Sequence, residues 1–369
     1  MKNTFGNAVS ITIFGESHGA YIGAVLDGVS PGIEVNEDYI NRELDRRRAK
    51  GTTSTSRHEG DIPRIVSGVF NGKTTGTPVT IIIENGDTHS SDYEKTRFLA
   101  RPSHADYTAH VKYCGYEDFR GGGHFSGRIT AAFVAAAAIL KCALEKRGIY
   151  IATHAARCAG VPDRAFGNLQ SDVEYLCSQS PEYFPVLDEN AGALMREKIL
   201  EAKKSLDSVG GVLETAVLGI DAGYGEPWFD STESLLSHAL FSIPAVKGVE
   251  FGLGFGFADK FGSEANDPFF ADESGRIMTL SNNNGGINGG ITNGMPIVFR
   301  TVIKPTSSIA RTQKTVNLET RENAELAIKG RHDPCVLMRA APVVNAAVAL
   351  VLSDLIATHE GTNCFCVKK

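Results

Sequence analysis

The densest group of residues able to do chemistry lies between Arg101 and Lys141. Arg101-Pro102-Ser103-His104 opens it, Gly121-Gly122-Gly123 lies in its middle, and His124, Ser126, Arg128 and Thr130 lead into an alanine-rich run. Imidazole titrates near neutral pH, so His104 and His124 are candidate acid–base groups. Guanidinium offers carboxylate and phosphate a planar fork of donors, which makes Arg101, Arg120 and Arg128 candidate anion ligands. Three glycines let the main chain adopt conformations closed to other residues and let a ligand approach it closely. At the helix start that follows, unpaired N–H groups and the positive end of the helix dipole favour a phosphate. The same glycines would also serve a plain tight turn; the crowding of His104, Arg120, His124 and Arg128 around them favours the anion site.

Other clusters carry a similar pair of readings. Gly15-Glu16-Ser17-His18-Gly19 ends a β-prone run and is either a functional loop or a hairpin turn with a surface histidine. Arg46-Arg47-Arg48, followed by the glycine- and hydroxyl-rich stretch from Gly51 to Arg57, is either a solvated helix end or a basic arm that closes over an anion. The glycine- and asparagine-dense run from Asn282 to Gly290 is either a long turn or a loop that lets main chain touch a flat ligand. Lys304-Pro305-Thr306-Ser307-Ser308 places a cation before three hydroxyls at the end of a strand. Lys329-Gly330-Arg331-His332-Asp333-Pro334-Cys335 then precedes a second alanine-rich apolar run.

The elements that must position these groups follow from pattern. Asn36 caps a helix running to Arg48, with Glu37 and Asp38 in its first turn. Strands are expected at 9–14, 22–26, 64–70 and 78–84, with Asn71-Gly72 as a hairpin signal between the last two. Apolar helices are expected at 130–147 and 342–357, surface helices at 192–206 and near 318–329. Further strands are expected at 149–154, 212–220, 248–257 and 296–303. Residues 160–190 give no readable pattern. The layout of basic-glycine loop and apolar helix occurs twice, which suggests pseudo-twofold architecture.

Composition narrows the function classes. With 42% hydrophobic and 22% charged residues the chain reads as a soluble globular protein, and 39 glycines in 369 residues exceed the usual share of about 7%. A net charge of −6 gives no general pull toward nucleic acid or an anionic membrane, so an anionic substrate must be met by local arginines. Seven scattered cysteines do not form a disulfide framework, and Cys364-Phe365-Cys366 lacks the spacing of a zinc site. No apolar run reaches the roughly 18 residues of a membrane span and the N-terminus has no leader pattern, so a cytoplasmic protein is expected. There is no G-x-G-x-x-G with a following acidic residue and no G-K-[ST] loop.

Taken in order, the Gly15–Gly19 pentapeptide, the Arg101–Tyr107 run, the Gly121–Thr130 loop, Ile243-Pro244-Ala245-Val246-Lys247-Gly248, Asn288-Gly289-Gly290, Lys304–Ser308 and Gly330–Cys335 resemble the chorismate synthase family over residues 5–355. The resemblance implies an anti 1,4-elimination of phosphate from 5-enolpyruvylshikimate 3-phosphate, assisted by reduced FMN without net redox change, at the end of the shikimate pathway. It implies His18 and His104 as proton-handling residues, His18 on the substrate side and His104 governing flavin protonation, with Asp333 assisting the flavin. Arg48, Arg101, Arg128 and Arg339 become the substrate clamps. His124, Phe125, Ser126, Ala245, Gly289, Lys304, Pro305, Thr306, Ser307, Ser308 and Arg331 fall on flavin positions. NADPH is the candidate reductant, with Arg48 as its contact.

The implied fold is an α/β sandwich of antiparallel sheets enclosing two apolar helices, one domain over residues 1–369, assembled as a homotetramer in the cytoplasm. Two departures stand out. His124 and Phe125 replace the arginine and serine of many relatives, and Ser103 stands where glycine is usual. A flavin reductase on a related scaffold, or a binding protein without catalysis, are the competing classes; NADPH oxidation alone would mark the former.

Overall fold

The computed structural model describes residues 2–49, 51, 53–54, 60–86, 96–328, 332–361 and 364–365. Lys329, Gly330, Arg331, Cys366 and most of the basic arm from Thr52 to Arg57 lie outside the described residues.

Two five-stranded antiparallel sheets face each other across the core. The first contains β1 (Thr4–Phe5), β2 (Ser10–Gly15), β3 (Tyr21–Asp27), β4 (Pro63–Ser67) and, after the short pair β5 (Val69–Phe70) and β6 (Lys73–Thr74), β7 (Val79–Glu84), in the order β1-β2-β3-β7-β4. Side chains alternate across a strand, and Ile22, Ala24 and Leu26 of β3 and Val79, Ile81 and Ile83 of β7 form its inner face, each at most 1% exposed. The second contains β8 (Tyr150–Cys158), β9 (Val161–Pro162), β10 (Gly211–Leu218), β11 (Val246–Phe251) and β12 (Ile297–Ile303), in the order β11-β12-β10-β8-β9.

Helices fill the space between. α1 (Glu37–Arg47) starts at Asn36, whose side chain accepts from Tyr39 N at 2.9 Å, and carries Arg46 and Arg47 in its last turn. After α2 (Asp106–Lys112) comes α3 (Thr130–Lys146), apolar on nearly all sides, which packs on β3 and β7. Its buried Lys141 is held 3.2 Å from the Glu43 carboxylate of α1. α4 (Leu169–Ser178) and α5 (Glu189–Lys204) flank the second sheet, and α6 (Thr232–Phe241) leads into β11. α7 (Leu337–Glu360) lies against β8 and β10 on one side and against α1, α3 and α6 on others. Small alanines in α3 and α7 let the two axes approach closely. Each sheet thus carries one long apolar helix, as the repeated layout suggested.

Both helices are long and apolar enough to cross a membrane by length and composition, contrary to the expectation that no run reaches that length. Their apolar windows are instead 78% and 100% buried inside the protein. The unreadable residues 160–190 contain α4, whose Val173 and Leu176 cover the outer face of the second sheet. That segment is pinned by a buried imidazole: His154 Nδ1 lies 2.8 Å from Asp163 and Nε2 3.1 Å from Glu214. Burial pulls the His154 pKa down, but the two carboxylates outweigh it and raise it.

Three expectations need correction. The helix near 318–329 is a hairpin, β13 (Gln313–Val316) paired with β14 (Asn323–Leu326). Asn317 turns the chain by accepting from Glu319 N and Thr320 N, and Leu326 is buried as a strand residue, so a local turn and tertiary burial override helix propensity. The strand at 248–257 stops at Phe251 and gives way to a 3₁₀ segment from Gly254 to Asp259. The strand at 64–70 breaks at Gly68, so Asn71-Gly72, with φ of 49° and 70°, closes only the short β5–β6 pair while β4 pairs with β7.

The first and last parts of the chain are tied by one buried carboxylate. Asp354 on α7, 2% exposed, accepts from Asn7 N at 2.9 Å, Ala8 N at 2.7 Å and Val9 N at 2.9 Å. Charge-assisted bonds of this kind contribute more than neutral ones, and removing the acceptor leaves three N–H groups unsatisfied. Asp354→Ala is expected to destabilise the fold by about 3 kcal/mol or more, read as a lowered midpoint in urea unfolding, with Asp354→Asn intermediate.

Candidate functional site

Gly121, Gly122 and Gly123 hold φ of 60°, 88° and 52°. All three lie in the left-handed region that only glycine enters without strain. The fold also needs them to lack side chains. A Cβ on Gly121 would stand 2.3 Å from the His18 ring, and one on Gly122 would stand 3.2 Å from the His104 ring. Two imidazoles 86 positions apart in sequence therefore meet consecutive residues of one loop. The loop is held against the β2–β3 connection by Ser17 N donating to Gly123 O at 3.0 Å and by His124 Nδ1 at 2.8 Å from Gly15 O. His124 is thus occupied by main chain, while Phe125 is 37% exposed with its ring edge on Tyr113.

His104 belongs to a three-residue cluster. Its Nδ1 lies 2.7 Å from Asp106 Oδ1, and Arg101 donates to the same carboxylate through Nε at 2.7 Å and Nη2 at 2.6 Å. Burial alone would raise the Asp106 carboxyl, but the hydrogen bonds from Arg101 and His104 hold it well below the ordinary carboxylate range. A carboxylate only accepts, so His104 carries hydrogen on Nδ1 and turns Nε2 toward Gly122.

The other expected clamps are also engaged. Arg128, 6% exposed, pairs with buried Asp61 and donates through Nε to Asn85 at 3.0 Å. Arg48 pairs with Asp45 and donates to Asp61 O at 2.8 Å. Arg339 donates through Nη1 to Asp333 at 2.5 Å and through Nε to Arg47 O at 3.0 Å. Arg47, which sequence reading passed over in favour of its neighbour, links these: its Nε donates to Thr130 at 2.9 Å, its Nη2 to Gly127 O at 2.8 Å, and its Nη1 lies 3.4 Å from Asp61. Asp61, Asp106 and Ser17 were missed as well. Their signal was each motif's polar neighbour, and no spacing rule singles out such partners. Beside Arg48 and Arg339 lies a cavity of about 680 Å³, lined also by Arg46, Arg196, Thr153 and Asn345; among the described residues no histidine lines it.

Of the expected flavin positions, the structure joins several. Lys304 N donates to Ala245 O at 2.9 Å, and Lys304 Nζ to Ser103 O. Burial, then the nearby Lys247, lowers the Lys304 pKa. Thr306 Oγ1 is buried with no hydrogen-bond partner among the described residues, and Ser308 is 7% exposed. Pro305 packs near Gly210. Ser126 caps the turn before α3 by accepting from Arg128 N at 3.2 Å. Gly289 stands apart: Gly290 beside it meets the start of α6, whereas Ala245 follows its end. A ten-residue helix puts those ends about 15 Å apart. Arg331 lies outside the described residues.

Ser103 has φ of 58°, which accounts for the glycine usual there. Ser103→Gly is expected to relieve strain and raise stability by up to about 1 kcal/mol, measured as an increase in thermal midpoint with turnover maintained.

A family model described as chorismate synthase matches residues 9–357. Among curated relatives, chorismate synthase of Thermococcus gammatolerans is 50% identical over 95% of this chain and 96% of its own, and that of Aeropyrum pernix 45% over 97% and 94%. A crystal structure of chorismate synthase superposes with a TM-score of 0.74 at 31% identity, covering 97% of this chain and 94% of the other. The whole-chain match in sequence, the shared two-sheet fold and the two histidines meeting one glycine loop lead to one conclusion: the chain belongs to the chorismate synthase family, the carbon–oxygen lyases that form chorismate in the shikimate pathway.

Proposed function

We propose that this chain carries out its family's elimination at the surface framed by His18, His104 and the Gly121–Gly123 loop, with 5-enolpyruvylshikimate 3-phosphate held by Arg48, Arg101, Arg128 and Arg339. The observation that carries the reading is the meeting of His18 and His104 on consecutive glycines. The substrate brings two carboxylates and a phosphate, and must be held while the phosphate departs. Guanidinium groups already fixed by carboxylates lose little freedom on binding it. Asp45, Asp61, Asp106 and Asp333 also offset the arginine charge, so product phosphate is not retained as tightly as an uncompensated cluster would retain it.

His18, 9% exposed, keeps a proton near the leaving phosphate. His104, its Nδ1 committed to Asp106, has Nε2 for proton exchange on the flavin side, and Asp333 supports that side. Reduced FMN, when bound, supplies the electron density that lets phosphate leave. Buried Thr306 Oγ1 and the Lys304 ammonium fit an anionic, hydroxyl-bearing ligand. His124, Phe125, Ser126, Ala245, Gly289, Lys304 to Ser308 and Arg331 are the residues that would hold it, His124 through main-chain order rather than a new side-chain contact. NADPH would reduce the flavin, with Arg48 as its contact.

The chain acts as one domain, residues 1–369, in a cytoplasmic homotetramer. Trp228, Phe229, Phe255 and Phe261, between 78% and 90% exposed, are large apolar side chains of the kind that a second copy would cover.

Anaerobic stopped-flow mixing of the protein, dithionite-reduced FMN and substrate is expected to give a transient flavin absorbance change that decays as chorismate appears. Flavin binding without chorismate would defeat the mechanism. His104→Ala should lower kcat at least about 100-fold, the contribution of a general acid or base, with KM little changed; wild-type turnover would remove His104 from the chemistry.

A further inference from the structure

Beside Asp333 and the Arg101–Asp106–His104 cluster stands a third imidazole, His332, to which the family reading gives no task. The side chain is partly buried, and its Nε2 is wholly buried with no hydrogen-bond partner among the described residues. Buried polar atoms are nearly always paired, so such an atom needs a use outside the resting fold. Its surroundings determine its charge. Burial, then Arg101 and His104, push the His332 pKa below its ordinary value, and Asp333 opposes them only in part. The imidazole is therefore neutral at neutral pH, and in the tautomer with hydrogen on Nδ1 its Nε2 is an open proton acceptor. Its neighbours are already committed: Asp106 accepts from Arg101 and lies 2.7 Å from His104 Nδ1, and Asp333 accepts from Arg339.

We propose that His332 is a proton-relay residue of the elimination, acting through Asp333 and His104 rather than by touching the substrate. The elimination breaks one C–H and one C–O bond. The C–H electron pair enters the new double bond, phosphate leaves with the C–O pair, and one proton is left over. The group that meets the C–H bond takes that proton first; it then passes to Nε2 of His332, on toward His104, and leaves with the phosphate or into solvent, so the imidazole is neutral again before the next turnover. The protein gains and loses no electrons. A relay must not keep its proton, and cationic neighbours make the protonated form of His332 short-lived. The inference rests on His104 and Asp333 belonging to the reacting site.

The test compares His332→Ala, His332→Gln and His104→Ala in the anaerobic assay with reduced FMN, measuring kcat and KM with and without added imidazole. Both His332 variants are expected to lose roughly 100-fold in kcat with KM changed less than about threefold. Imidazole should restore at least about tenfold in the alanine variant, which has room for it, and nothing in the glutamine variant. Turnover near wild type in either His332 variant overturns the relay. So does a loss in His332→Ala that imidazole does not restore while reduced FMN still binds. Glutamine keeps the bulk and hydrogen bonding but cannot carry a proton, so its kcat decides the matter if the alanine variant does not fold. Wild-type turnover in His104→Ala would instead overturn the site reading itself; impairment there, with His332 variants intact, overturns only the relay.

Discussion

The left-handed run at Gly121, Gly122 and Gly123 is the constraint on which the site depends. Any other L-residue in that conformation would cost about 1–2 kcal/mol per position, and at Gly121 and Gly123 a Cβ would also overlap the His18 ring and Asp118 O. With the side chains absent, the loop packs flat against the β2–β3 connection. It presents main chain to two imidazoles and then turns directly into α3, so a buried core helix and the most permissive backbone are continuous. The apolar sandwich fixes where α3 begins, the glycines fix how the loop before it runs, and the histidines take their separation from both.

Charge at the site is balanced locally. The chain has a net charge of −6, yet Arg47, Arg48, Arg101, Arg128 and Arg339 pair with four aspartates, of which Asp61 is buried. Buried guanidinium groups without partners would be costly, and buried carboxylates equally so. Shared pairs such as Arg47 and Arg128 on Asp61 resolve both problems and fix the direction of each fork. The arginine cluster is therefore as much a part of the fold as of the site, joining α1, the start of α3 and the start of α7.

What the sequence made legible follows the range of the forces involved. The capped helix at Asn36, the two apolar helices and the strand alternation of β3 and β7 are local patterns, and they appear where pattern placed them. The motif histidines and arginines were legible because resemblance fixes types at positions. Asp61 was not, since a buried aspartate acquires meaning only from two arginines that meet it in space. The hairpin at 313–326 reads locally as helix in Ala324-Glu325-Leu326; Asn317 and the burial of Leu326 decide otherwise. The stretch 160–190 was opaque because its order comes from His154 reaching Asp163, a contact between a strand and a loop.

The Asp354 carboxylate that gathers the N–H groups of Asn7, Ala8 and Val9 has a consequence for how the molecule is made. Chains emerge from the ribosome N-terminus first, so the first strands exist long before the helix that anchors them. β2 and β3 can pair as a local hairpin early, but their attachment waits until nearly the whole chain has been synthesised. A contact spanning 345 positions carries a large closure cost and forms late. α3 can cover the inner face of β3 and β7 well before that, but the stretch from Asn7 to Val9 at the edge of the first sheet spends most of synthesis without its anchor. Truncation within α7 would leave a nascent chain whose beginning, as well as its end, lacks a place to dock.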